Sequence, residues 1–167
     1  MQRIALARRP MGAPVDDDFL FKCCVGKKGI IRDKIEGDRK TPKGIFKIGN
    51  LYFRKDKNKK PLTKLKSIAI KKDMGWCDDK TNKKNYNKLM KINKKIKHEK
   101  LYRLDNKYDF MIPILYNTNK RVLGKGSAIF IHLTKDYKGT DGCVALKKQD
   151  FLILLKLINP NTKIKII

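Results

Sequence analysis

Short alternating or apolar runs fill most of this chain, and only one stretch repeats at helical spacing. Residues 19–25, 44–48, 67–70 and 163–167 read as strands, with a shorter candidate at 4–7. Ala128, Ile129, Phe130 and Ile131 make a buried strand that delivers His132 to the edge of a sheet, and Val144, Ala145 and Leu146 form another apolar run. Residues 110–116 are apolar with Pro113 inside, which predicts an edge or bulged strand. Phe151, Leu154, Leu155 and Ile158 fall at i, i+3, i+4 and i+7. They predict one helix, opened by Gln149-Asp150 and stopped by Asn159-Pro160. Many strands and one helix make the fold class mainly β.

Punctuation between these runs is equally legible. Arg8-Arg9-Pro10 with Gly12-Ala13-Pro14, and the acidic Asp16-Asp17-Asp18, predict solvated turns. Gly26-Lys27-Lys28-Gly29 predicts a turn into Ile30-Ile31, and Thr41-Pro42-Lys43-Gly44 a tight one, since Pro fixes its own φ and Gly accepts a positive one. Residues 54–66 predict a loop or hairpin tip. The Asn- and Lys-rich residues 80–97 predict a long surface excursion with a short helix at 89–92, of the length that often serves as a lid.

Composition bounds the class. At 167 residues the chain fits one domain with a single core. Lys+Arg of 42 against Asp+Glu of 16 leaves a net charge of +26, which suits nucleic acid, an anionic membrane or an anionic wall polymer. The lysines are scattered from Lys22 to Lys165 and Arg is scarce after Arg54, so a dedicated phosphate-reading surface is not indicated. No fingerprint of a nucleic-acid reader domain is present, and no specific nucleic-acid partner is expected. The four cysteines, Cys23, Cys24, Cys77 and Cys143, show no C-x-x-C spacing, so neither a metal site nor a disulfide framework is expected, nor any cofactor. Adjacent Cys23 and Cys24 in a strand would face opposite sides, one in the core and one out. No apolar run reaches the ~18 residues of a membrane span, and residues 1–15 lack the apolar stretch of a secretory signal.

The candidate chemistry lies in His132-Leu133-Thr134-Lys135-Asp136-Tyr137-Lys138-Gly139-Thr140-Asp141-Gly142-Cys143. A histidine and a cysteine flanking one loop between two apolar runs can bring imidazole and thiol together for nucleophilic catalysis. A free thiol is only about 3% ionised at pH 7. A charged neighbour that lowers its pKa to roughly 6 raises that fraction about thirtyfold, but nucleophilicity falls in step. Positioning and donors aimed at the developing oxyanion are therefore expected to matter more. The Gly142-Cys143 bend suits that task, and the Thr140 hydroxyl can brace it. A backbone carbonyl, Asp136 or Asp141 could orient the second nitrogen of His132.

These residues also resemble a known family. His132, Thr140, Gly142 and Cys143 are similar to the signature of the L,D-transpeptidase catalytic domain (YkuD-like), and Thr41-Pro42-Lys43-Gly44-Ile45-Phe46 is similar to its upstream Thr-Pro-x-Gly-x-Phe motif. The likeness spans residues 23–167. It implies a sandwich-like β domain in which Cys143 attacks a wall stem peptide, His132 moves protons, and the acyl group passes through a thioester to an amine acceptor. With water as acceptor the same site would be an L,D-carboxypeptidase; a basic nucleic-acid- or wall-binding protein without catalysis is the alternative of another class. A subset of the family further implies Trp76, Asp78, His98 and Glu99 on the acceptor side of the cleft. Peptidoglycan stem peptides are the implied partners, and the cell envelope or periplasm the implied location, with a cytoplasmic one left open. Three positions depart from the pattern: Leu133 stands where Gly often follows the His, the loop is short, and Ala145 stands where an Arg is frequent. The last leaves the donor's carboxylate to another cation. From the charge alone, binding to intact wall sacculi is expected to weaken as salt rises to physiological strength; a salt-independent interaction would remove this role for the lysines.

Overall fold

The computed structural model describes residues 2–7 and 19–167; the turns read at 8–18 lie outside the described residues. In chain order the strands begin with β1 (Gln2–Ala7), β2 (Leu20–Cys23), β3 (Ile30–Ile31), β4 (Thr41–Pro42) and β5 (Gly44–Lys47). Next come β6 (Leu51–Phe53), β7 (Ser67–Ala69), β8 (Met74–Cys77), β9 (Leu89–Lys91) and β10 (His98–Lys100). The last are β11 (Phe110–Pro113), β12 (Phe130–Leu133), β13 (Val144–Leu146) and β14 (Lys163–Ile166), with helix α1 (Lys148–Leu157) before β14.

Two sheets face each other across the main core. An antiparallel sheet of order β2-β1-β14-β5 contributes Ile4, Leu6, Phe21, Ile164 and Ile166. A five-stranded sheet of order β13-β12-β11-β6-β7 contributes Leu51, Phe53, Ile112, Ile131, Leu133 and Val144. Phe151, Leu154, Leu155 and Ile158 of the helix segment complete this core with the face its spacing predicted. The protein is a mainly β sandwich with one short helix.

Strands β11, β12 and β13 of the five-stranded sheet are buried on both faces, as their mainly apolar runs require. Side chains alternate across it: Ile131 and Leu133 enter the main core, whereas Phe130 joins Tyr52, Trp76, Leu101, Tyr108 and Met111 in a second cluster. A small sheet of order β10-β8-β9 supplies Trp76 to that second cluster. His132 follows Phe130 by two and shares its face, so strand periodicity aims the imidazole away from the main core.

Several expectations change in three dimensions. Thr41-Pro42-Lys43-Gly44 is extended rather than a tight turn, because Thr41 and Pro42 pair in parallel with Ile30 and Ile31. Residues 89–92 form no helix; Leu89, Met90 and Lys91 pair with Trp76, Gly75 and Met74, and that pairing overrides local propensity. The excursion containing them is anchored, since Tyr86 is fully buried. β6 and β7 run parallel, so residues 54–66 form a crossover and not a hairpin tip. β11 lies between β12 and β6 instead of at an edge, and Pro113 sits at its last position, where pairing with β6 has ended. β12 is likewise interior, so His132 is held within a sheet. Cys23 and Cys24 are both buried, because Cys24 pairs with Ala145 behind β13.

Candidate active site

The parallel pairing of β12 with β13 sets Ile131 opposite Val144 and His132 opposite Ala145. Cys143 is the residue just before β13, so the loop from His132 returns the thiol beside the strand that carries the imidazole. Both residues line one cleft of about 710 Å³. The thiol donates to the carbonyl of Ala128 at 3.3 Å and accepts from the Phe130 N–H at 3.4 Å. The His132 ring lies edge-on to Tyr108, 5.4 Å between centroids, and its Nδ1 meets the Leu133 carbonyl at 2.9 Å. A carbonyl can only accept, so the proton resides on Nδ1 and Nε2 is the basic nitrogen. Of the three candidate orienters the backbone carbonyl holds that place. Asp141 is exposed and faces Lys27 and Arg39, and Asp136 pairs with Lys138.

Hydroxyls set the bend that carries Cys143. Thr140 Oγ1 donates to the Cys143 carbonyl at 2.6 Å and accepts from the Gly142 N–H at 3.1 Å. Gly142 has φ +138°, and a Cβ there would meet the Lys40 carbonyl at 3.1 Å, so the close approach requires glycine. The Gly142 N–H is thus spent on Thr140 and is not free to meet an oxyanion. Thr41, fully buried, accepts from the Gly26 N–H at 2.8 Å and donates to the Gly142 carbonyl at 2.8 Å.

A second brace comes from Asn87. Ala128 takes a left-handed φ of 51°, rare for a residue with a Cβ, and its N–H donates to Asn87 Oδ1 at 3.1 Å. The same oxygen accepts from Trp76 Nε1 at 2.9 Å, while Asn87 Nδ2 donates to the carbonyls of Tyr116 and Asn117. Trp76 therefore supports, through Asn87, the Ala128 carbonyl that receives the thiol.

Burial decides the charge state of the pair. The Cys143 thiol is pushed up to about 12, chiefly by desolvation, against a hydrogen bond from Phe130; Glu99 and Asp141 push it further and Lys34 opposes them. Desolvation also lowers His132 to about 4, with Lys107 and Arg103 adding to it. The resting site holds a neutral thiol and a neutral imidazole. No charged neighbour holds the thiol near 6, and the arrangement suits general-base activation during attack rather than a standing ion pair.

Of the four residues expected on the acceptor side, Asp78 and Glu99 line the cleft. Trp76 is core, and His98, half-buried, has its Nδ1 on the Ile96 carbonyl at 2.7 Å and its ring against Gly75. Glu99 is held by Arg103 at 2.9 Å, and burial raises the Asp78 carboxyl pKa. Glu36, which accepts from Tyr86 and Ser127, joins them on the cleft wall. Lys34, Glu36, Asn87, Arg103 and Tyr108 carry no local motif, so sequence reasoning passed over them. Asn87 is one of four Asn in the lysine-rich residues 80–97, and nothing local sets it apart.

The model of the L,D-transpeptidase catalytic domain (YkuD) matches residues 15–166. No curated protein and no solved structure matches the chain.

Two outcomes test the site's energetics. His132 binds its proton at about 4 when folded and near 6.5 when unfolded. Its contribution is therefore fully present above pH 6.5 and is lost as pH falls to about 4, a change of ~3 kcal/mol. Denaturant midpoints should fall more steeply from pH 7 down to pH 4 for the wild type than for His132→Asn; parallel curves would contradict the burial assigned to this ring. Thr41→Val orphans the Gly26 N–H and the Gly142 carbonyl and should cost about 1–3 kcal/mol in the same assay, with Thr41→Ser much milder.

Proposed function

Because the chain belongs to the L,D-transpeptidase catalytic-domain family, we propose that it is a cysteine-dependent L,D-transpeptidase acting on peptidoglycan stem peptides. The observation that carries this reading is that Cys143, just before β13, and His132, on the parallel neighbour β12, line one cleft, with His132 Nδ1 tied to the Leu133 carbonyl.

In the proposed reaction the thiol hydrogen leaves the Ala128 carbonyl for His132 Nε2 as sulfur attacks the carbonyl carbon on the L-centred side of an L,D-peptide bond. The Cys143 N–H faces the oxygen as it becomes negative. Collapse breaks the C–N bond, the proton on Nε2 passes to the departing amine of the D-amino acid, and a thioester remains. An acceptor amine then attacks the thioester, His132 takes its proton, and the sulfur leaves and is reprotonated from Nε2. Every proton begins and ends on a named atom. The neutral resting pair supports this sequence, because an imidazole that rests unprotonated can accept the first proton.

Carboxylates in the cleft support an amine acceptor over water. In a chain of net charge +26, Glu36, Asp78, Asp79, Glu99, Asp136 and Asp141 line it beside seven Lys and Arg residues, a near-even balance. A carboxylate there can bind the ammonium that an acceptor amine carries before attack. The many surface lysines would hold the protein to anionic wall polymer in the cell envelope, where this substrate resides.

Incubation with stem-peptide muropeptides, with and without an added amine, tests the reading by mass spectrometry of products. A cross-linked product that needs the amine and Cys143 is expected. Shortening of the stem by one residue regardless of amine would instead make this a carboxypeptidase. A carbapenem, which mimics the acyl donor, should leave one adduct per chain at Cys143, absent in Cys143→Ser and much slower in His132→Ala. Modification at Cys77 with Cys143 untouched would overturn the assignment of the nucleophile.

A further inference from the structure

We propose that Lys34 is the electrostatic partner of the nucleophile, its buried ammonium stabilising the negative charge that moves from the Cys143 sulfur to the substrate oxygen. The proposal rests on the reading of Cys143 as the nucleophile. It concerns a residue that neither motif contains.

The geometry is that of a built charge. Lys34 lies in the loop between β3 and β4, and its side chain is 2% exposed. Its stem runs under Gly126, where a Cβ would meet Lys34 Cε at 2.9 Å and Cδ at 3.0 Å, so the lysine is clamped. Nζ lies 3.5 Å from the point a Cβ on Gly142 would occupy, and the residue lines the cleft. Two of its hydrogens are used, toward Asp38 Oδ1 at 2.6 Å and the Ile35 carbonyl at 3.4 Å. An ammonium has three, and the third has no partner among the described residues.

Asp38 makes this charge tolerable without cancelling it. Burial opposes its carboxylate, but hydrogen bonds from Lys34, Ile35 and Lys40 outweigh that and lower its pKa. Because Asp38 also serves the Ile35 and Lys40 N–H groups, part of its charge is directed away from Nζ.

No other cation of the cleft is placed to do the same. Arg103 is occupied by Asp105 and Glu99. Lys27, Lys97 and Lys138 are exposed and face Asp141, Asp78 and Asp136, and Lys80 and Lys107 are exposed as well. Exposed charges are screened by water and salt, whereas a fixed charge in a desolvated wall acts at full strength and needs no reorganisation. The need is concrete: burial opposes ionisation of Cys143, and Thr140 has taken the Gly142 N–H.

Alkylation by iodoacetamide, a neutral reagent, tests this without any wall substrate. Rates at Cys143 are followed by peptide mass spectrometry from pH 6 to 10 in the wild type, Lys34→Met and Asp38→Asn, with melting curves for each. Lys34→Met should slow the reaction about fivefold or more at pH 8. Asp38→Asn removes the counter-charge and should accelerate it. If the ion pair only holds the loop in place, both variants will slow the reaction, and that result overturns the proposal, as does an unchanged rate in Lys34→Met. Should Lys34→Met fail to fold, Asp38→Asn decides alone: a rate at or below wild type overturns it. A protein that shows both shifts yet makes no cross-links retains Lys34 in this role and loses only the transferase reading.

Discussion

One buried hydroxyl joins the segments on which this site depends. Thr41 accepts from the Gly26 N–H and donates to the Gly142 carbonyl, so the β3–β4 ribbon, the turn after β2 and the bend that carries Cys143 share a single oxygen. None of these groups can find water, since Thr41 is fully buried. The constraint is therefore stiff. It explains why a Thr-Pro pair some hundred residues before the cysteine belongs to the same site: it holds the Gly142 carbonyl in place and with it the direction of the Cys143 thiol.

The second brace has the same logic in a different chemistry. Asn87 uses its amide to satisfy Trp76, Ala128 and two carbonyls, and so maintains a left-handed alanine beside the thiol. That backbone conformation is costly for any residue with a Cβ and persists because its surroundings over-determine it. The result is a carbonyl aimed at sulfur. Together the two braces build a site whose donors and acceptors are in place before substrate arrives, which is the economical way to stabilise a developing charge.

Burial then shapes the chemistry. The walls that hold the thiol also desolvate it, and they desolvate His132, so both rest neutral. A neutral pair is stable in an apolar wall, where an ion pair would pay heavily for lost hydration. Charge must then appear only during reaction, at a place where a fixed cation and a backbone N–H can meet it. Lys34 and the Cys143 N–H occupy that place in the proposed mechanism.

Local pattern was sufficient for what depends on neighbours in sequence. Alternation marked β5 and β14, helical spacing marked α1, and the His132 to Cys143 stretch with its Thr140-x-Gly142 marked the candidate site, because backbone geometry imposes those periods and bends directly. The resemblance of these motifs to one family agreed with the match over residues 15–166. What local pattern could not carry were relations between distant segments. Residues 89–91 became a strand by pairing with β8, and Thr41-Pro42 became extended by pairing with β3. Cys24 was buried by β13, and the charge states of Cys143 and His132 followed from desolvation by residues far along the chain. Lys34 and Asn87 have no motif around them at all. Their roles arise from where the folded chain sets a buried ammonium and a four-way amide, and free energies of burial exist only once that packing is made.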